Sequence, residues 1–405
     1  MSMTETQERR EEAAASHMLF SRLTPQPADA LLALIGLYAA DPRQGKIDLG
    51  VGVYKTEGGE TPVFASVKAA EEILLRTQQT KSYVGPEGDI GFFRNLLPLI
   101  FGNDAELDRI AGLQTPGGTG ALRLAAELIA LTGRNRKVYV GAPTWANHQP
   151  VFAAARLEMA TFRHIDLTTQ DLCFEDMIDA LGKAEPGDIV LLHGCCHNPT
   201  GADLSPDQWE GISALCAERH LLPFIDLAYQ GLGDGLEADA AGVRIMARHC
   251  PELIVAYSCD KNFGLYRERV GALFVVAANA GDAALTQSNL LGLARANWSM
   301  PPDHGAAIVR IVLDSAELTA SWRAELEEMR LRIAAMRAGA AALDPALGFL
   351  TGQKGMFSTL PLSPDQVKAL REDHGVYMAG SGRINIAGLI SGNLANFVAA
   401  IAAVR

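Results

Sequence analysis

Leu253-Ile254-Val255-Ala256-Tyr257-Ser258-Cys259-Asp260-Lys261-Asn262-Phe263-Gly264 is an apolar run that ends on a hydroxyl and then presents a lysine. Leu253 to Ala256 read as a buried strand. A lysine just past such a strand is costly to desolvate, and desolvation lowers its pKa toward the free amine. A free amine condenses with carbonyls, so Lys261 is a candidate Schiff-base nucleophile. Taken alone, a lysine in this place more often carries its amine back to water along its own stem. What the other strands deliver to the same edge decides between the two.

The 405 residues, 48% of them hydrophobic and 20% charged, suit a soluble globular enzyme of two domains, or one large and one small. The net charge of -12 and the lack of any basic run argue against a nucleic-acid partner. No stretch approaches the roughly 18 apolar residues of a membrane span, so no membrane partner is expected. Cys173, Cys195, Cys196, Cys216, Cys250 and Cys259 show no CxxC spacing, which fits reduced thiols in the cytoplasm. Residues 1–17 are charged and alanine-rich without an apolar segment, so they are no signal peptide. His17-Met18 resembles a cloning junction, and 1–17 are expected to be a disordered leader, with a native arm as the alternative.

Along the chain, helical spacing follows Pro27 (Leu31, Leu32, Leu34, Ile35, Leu37), and Ile47 to Tyr54 reads as a strand broken by glycines. Helices are predicted over Ser66–Thr77 and Gly91–Phe101, and between them Lys81 to Gly88 forms a turn-rich loop presenting Tyr83. Thr115-Pro116-Gly117-Gly118-Thr119-Gly120 opens a helix from Ala121 to Leu131, offering free N–H groups, a hydroxyl and the positive dipole end to an anion. Lys137 to Val140 and Ile189 to His193 read as strands and Leu222 to Gly231 continues the alternation, with Trp145, Asn198, Asp226 and Tyr229 at such strand ends. Strands alternating with helices predict an α/β fold with a mostly parallel sheet, whose site collects at the carboxyl ends of the strands. Beyond Pro302 a long amphipathic helix is predicted from about Ala306 to Ala342, then short strands around Phe357, Tyr377 and Arg383, and a last helix over Ser391–Val404.

His193-Gly194-Cys195-Cys196-His197 lacks the ligand spacing of a zinc site, so no metal is read there. Pyridoxal 5'-phosphate accounts for the pieces together. It needs a lysine, a carboxylate for its ring nitrogen, donors to its phenolate, an aromatic face and a phosphate cup. Lys261, Asp226, Tyr229 with Asn198, Trp145, and Gly118-Thr119 with Ser258 and Arg269 supply a candidate for each. Singly, Asp226 would be a strand-end cap and Trp145 a core aromatic.

From about Leu19 to its end the sequence resembles the class I, fold-type I aminotransferases of the aspartate, tyrosine and aromatic group. The matching blocks are Gly50–Tyr54, Thr115–Gly120, His193–Gly201, Asp226–Gly231, Ser258–Gly264, Arg267–Gly271 and Ser381–Asn385. The resemblance implies a large domain with a mostly parallel seven-stranded sheet over 62–310, an arm and part of a small α+β domain in 18–61, and a hinge helix and small domain in 311–405. It implies ping-pong transamination of aromatic or acidic L-amino acids with 2-oxoglutarate in a cytoplasmic homodimer with shared sites. Lys261 would bind the cofactor covalently and carry the substrate proton, with Asp226 on the ring nitrogen and Tyr229 and Asn198 on the ring oxygen. Trp145 would stack on the ring, with His148 and His193 behind it. Gly118, Thr119, Ser258, Arg269 and the partner's Tyr83 would hold phosphate. Arg383 and the Gly52 backbone would bind the substrate α-carboxylate, and the partner's Arg295 a distal one.

Three departures stand out against that family. Asp260 replaces a serine before the lysine, which near a phosphate calls for Arg269 or another cation to screen it. Gly117 replaces a phosphate-binding serine. Ser82 and Met300 replace asparagines of aspartate specialists, which favours aromatic substrates as well, although Val53, Lys55, Thr61 and Thr119 are aspartate-like. The alternatives are an aspartate-specialised transaminase, a decarboxylase or lyase on the same scaffold, or a non-enzymatic regulator. A regulator calls for a DNA-binding segment that 1–17 are too short to supply, and the retained Lys261 and Asp226 argue against a binding-only relic.

Overall fold

The computed structural model describes residues 19–20, 23–25, 30–103, 105–133 and 135–405, the side chains of 30–32 apart. The expected leader over 1–17 lies outside the described residues. Two compact units emerge, one ending at Pro42 and the other spanning Arg43–Arg405. The first contributes the helix Ala30–Ala40.

In the second unit the strands in chain order are β1 (Ile47–Asp48), β2 (Ile110–Pro116), β3 (Lys137–Ala142), β4 (Glu158–Arg163), β5 (Ile189–His193) and β6 (Leu222–Leu227). They continue with β7 (Leu253–Ser258), β8 (Val270–Val276), β9 (Phe357–Thr359), β10 (Val376–Tyr377) and β11 (Arg383–Asn385). Seven form one sheet in the order β2-β8-β7-β6-β5-β3-β4. Only β8 runs against its neighbours β2 and β7; the other pairings are parallel. β6, β7 and β8 are buried almost throughout, as their unbroken apolar runs require when helices cover both faces. Ile212, Val243, Phe274 and Trp322 pack on one face, and Leu122, Ala125, Phe224 and Leu290 on the other.

Register decides which side chains meet. Asp226 pairs with Ala256 on one side and His193 on the other, so the ends of β5, β6 and β7 lie level. Pro116 pairs with Val270, which brings the start of β8 to the same edge.

Several elements differ from their sequence reading. The helix opened by the glycine-rich stretch begins at Gly117 rather than at Ala121, so those glycines form its first turn. The strand expected over Ile47–Tyr54 stops at Asp48, pairing with β10 alone before the chain turns into irregular backbone. The long helix expected from Ala306 to Ala342 is two helices, Asp303–Asp314 and Ala316–Leu343. Between them Ser315 turns extended and its hydroxyl caps the second helix by accepting the Leu318 N–H. Two-stranded pairings, β1 with β10 and β9 with β11, complete the C-terminal region.

Candidate active site

The carboxyl ends of β5, β6 and β7, the start of β8 and the helix Gly117–Leu131 enclose a cavity of about 140 Å³. Gly118, Thr119, Trp145, His193, Asn198, Asp226, Tyr229, Ser258, Asp260, Lys261 and Arg269 line it together with Leu122 and Ala228. The Lys261 Nζ lies 5.4 Å over the Tyr229 ring. Burial pulls the Lys261 pKa below its ordinary value, while the charges of Asp260 and Asp226 oppose that fall.

Asp226 is buried, and burial alone would raise its pKa. Hydrogen bonding and charge from His148, reinforced by His193 and Lys261, hold it below the ordinary carboxylate range instead. The His148 Nε2 donates to Asp226 Oδ2 at 3.1 Å, and its Nδ1 meets the Thr144 hydroxyl at 2.8 Å, which sets the tautomer. This carboxylate is ionised and rigidly aimed. The Asn198 amide donates to Tyr229 Oη at 3.3 Å. Burial, above all, pushes the Tyr229 phenol well above its usual range, so it remains a proton donor.

Arg383 extends from β11, donates to the Gly50 carbonyl at 2.8 Å and lies with Cζ 4.9 Å over the Phe357 ring. Phe357 in turn meets Tyr229 edge-on at 6.0 Å. The buried Arg383 Nε has no partner among the described residues, as have Asn198 Oδ1 and His193 Nε2. Gly52 abuts Phe357: a Cβ there would stand 2.8 Å from its ring. The broken strand thus reflects close packing under an arginine.

Tyr83 and Arg295 stand apart from this group. Tyr83 is 91% exposed, and Arg295 is exposed with its guanidinium on Ser299 of its own helix end. Neither lines the cavity of its own chain.

Sequence reasoning missed three features. Phe357 carries no signal beyond a hydrophobic strand position. His164 and His197 continue the row begun by His148 and His193, with His164 stacked on His197 at 3.7 Å. Asp203 accepts the N–H groups of Cys196 and His197 and so shapes the loop that carries Asn198. The cation that the sequence reading calls for beside Asp260 is Arg269, as the structure pairs them. Cys195, Cys196 and Asp239 also converge within 4.8 Å. Asp239 already accepts N–H groups from Gly231, Gly233 and Asp234, and burial pushes the Cys196 thiol up to about 12.

The donor set fits pyridoxal phosphate: an amine, an ionised buried carboxylate, a protonated phenol, a half-buried indole, and a hydroxyl-lined helix start with an arginine. Comparison with known proteins points the same way. The family model for aminotransferase class I and II matches residues 44–401. The tyrosine aminotransferase of Rhizobium meliloti is 53% identical over 92% of this chain and 96% of its own. The aspartate aminotransferase of Escherichia coli is 45% identical over 95% and 100%. A crystal structure of the aromatic-amino-acid aminotransferase from Burkholderia pseudomallei, covalently bound to pyridoxal phosphate, superposes with a TM-score of 0.93 at 41% identity, covering 96% of this chain and 99% of that one.

Proposed function

Because this chain belongs to the class I and II aminotransferases and is a transaminase using pyridoxal 5'-phosphate, we propose that it acts on aromatic and acidic L-amino acids, with 2-oxoglutarate as acceptor. One observation carries the assignment of roles: Lys261, Asp226 and Tyr229 reach a single cavity from adjacent strands.

Bound there, the cofactor supplies a reactive carbonyl and an electron sink conjugated to it. Lys261 is the covalent anchor, and its desolvated amine moves the proton at the substrate Cα. Asp226, fixed by His148, keeps a proton on the ring nitrogen. Tyr229, oriented by Asn198, donates to the ring oxygen, and Trp145 covers one ring face. Gly118, Thr119, Ser258 and Arg269 hold the phosphate. Arg383 binds the α-carboxylate bidentately, with its free Nε and the Gly52 backbone beside it. Tyr83 and Arg295, exposed in their own chain, serve the neighbouring site of a homodimer. Six free thiols suit a cytoplasmic setting. Residues 62–310 make up the cofactor-binding domain, 18–61 an arm and part of the small domain, and 311–405 the hinge helix and small domain.

The relatives' names span tyrosine, aromatic amino acids and aspartate, and Ser82 and Met300 supply no carboxamide beside Arg295. Both support a broad pocket. Absorbance of the purified protein in the near-ultraviolet and violet tests the reading. Tyrosine, phenylalanine and aspartate should each convert the cofactor to its amine form, with 2-oxoglutarate reversing the change. Silence to all three would refute it. A kcat/KM for aspartate exceeding that for both aromatics by orders of magnitude would refute the breadth alone.

A further inference from the structure

The phosphate side of the cavity already contains an anion that belongs to the protein. Asp260 is buried, with 3% of its side chain exposed. Its Oδ2 accepts from Arg269 Nη1, and its Oδ1 accepts the Val270 N–H at 3.2 Å. Its own N–H donates to Ser258 Oγ at 3.2 Å, engaging a second cup residue. Arg269 sits in left-handed backbone at φ 54° and also donates from Nη1 to the Tyr266 carbonyl at 3.1 Å.

Gly117 makes this arrangement possible. A Cβ at Gly117 would lie 2.7 Å from Arg269 Nη2 and 3.3 Å from Asp260 Oδ2, in backbone at φ +69° that side chains resist. The guanidinium drawn toward Asp260 therefore occupies space that a side chain at 117 would fill. A small residue at 117 and an acid at 260 are one structural unit.

Resting on the reading of this pocket as the cofactor's phosphate cup, we infer that Asp260 is a built-in competitor for Arg269. It presets the guanidinium and then shares it with the phosphate, so this protein releases pyridoxal phosphate more readily than it would with a neutral residue at 260. The physical reason is charge. A phosphate dianion placed beside a buried carboxylate meets one arginine already paired, to which the helix start of Gly117–Leu131 adds further positive potential. Freed of Asp260, the arginine can give both its N–H pairs to phosphate.

The test is the dissociation constant and release rate of pyridoxal phosphate, followed by absorbance during dialysis of the holoenzyme. Asp260→Asn keeps the size and one acceptor, and Asp260→Ser provides a second variant should Asn misfold. Both should hold the cofactor about tenfold more tightly. Retention no tighter than in the parent would overturn the inference, because a purely structural carboxylate loosens the loop when removed. Thr119→Ala and Ser258→Ala separate the two levels: if neither loosens the cofactor, the cup reading fails and the inference with it.

Discussion

Gly52 shows how little freedom the substrate side of the cavity has. The nearest atoms to a Cβ at this position belong to Phe357, whose ring underlies Arg383 and meets Tyr229. Gly52→Ala should therefore tilt Phe357 and misplace the guanidinium by a fraction of an ångström. We expect KM for amino acids to rise about tenfold while cofactor affinity is unchanged, since a small misplacement of a binding group costs that order of rate or affinity. Equal KM in steady-state assays would contradict it. His148 makes a second case at one residue. It is the group that keeps the buried Asp226 ionised, so His148→Phe should raise the Asp226 pKa. Its consequence is a kcat lower by about a hundredfold, the low end of what a positioned proton-transfer group commands, with the acid limb of the kcat–pH profile moved to higher pH. An unmoved acid limb would show that His148 does not set the charge of Asp226.

At the scale of one element, the helix Ala316–Leu343 holds two parts of the site from a distance. Near its start Trp322 is fully buried, stacks on Phe263 at 4.4 Å and donates from Nε1 to the Asn262 carbonyl at 2.7 Å, pinning the turn after Lys261. Trp322→Ala should cost about 3–5 kcal/mol, the range for truncating a large buried aromatic, read by urea unfolding. Near its end Arg337 is buried without a carboxylate in ion-pair contact among the described residues, and burial pulls its pKa to about 10. Its donors go to the carbonyls of Leu350, Lys354, Gly355 and Phe357 and to the Ser358 hydroxyl. Arg337→Met strands those acceptors, and a loss of about 2–4 kcal/mol is expected, with a raised KM because Phe357 loosens beneath Arg383. Arg337→Lys should recover part of both. Neither role was legible in the sequence, where the helix showed only its amphipathic period. The break at Ser315 was equally hidden, because apolar spacing continues across a cap. Elements whose burial is uniform were easy: β5, β6 and β7 are mostly apolar runs, and Asp226, Lys261 and Asn198 stand out as polar residues at or shortly past their ends. β4 is partly exposed along an edge and mixes charge with apolar residues, so it carried no clear period.

Across the whole molecule, one row of imidazoles ties the sheet to the cavity. His148, His193, His197 and His164 succeed one another at centroid distances of 5.3, 4.3 and 3.7 Å, from Asp226 on β6 to the end of β4. The row was invisible in sequence because its members lie up to 49 positions apart (197 minus 148) and meet only through strand register. Burial, with little to offset it, lowers His164 to about 4 and His193 to about 3, and carries His197 well below its ordinary value. In the unfolded chain each imidazole takes up its proton near pH 6.5, while in the fold it stays neutral. Stability from these groups is therefore complete above about pH 6.5 and lost as pH falls toward the folded values. Asp203 works in the opposite sense, since burial raises it to about 6 and favours the fold slightly as it protonates. His164 alone should account for roughly 2 kcal/mol of loss between pH 7.5 and 5.0, from about 1.5 units at 1.36 kcal/mol each. Urea unfolding with saturating cofactor at the two pH values measures it. His164→Phe keeps the stack on His197 but removes the titrating ring, so it should flatten the pH dependence by that amount, and an unchanged slope would show that His164 binds its proton equally in both states.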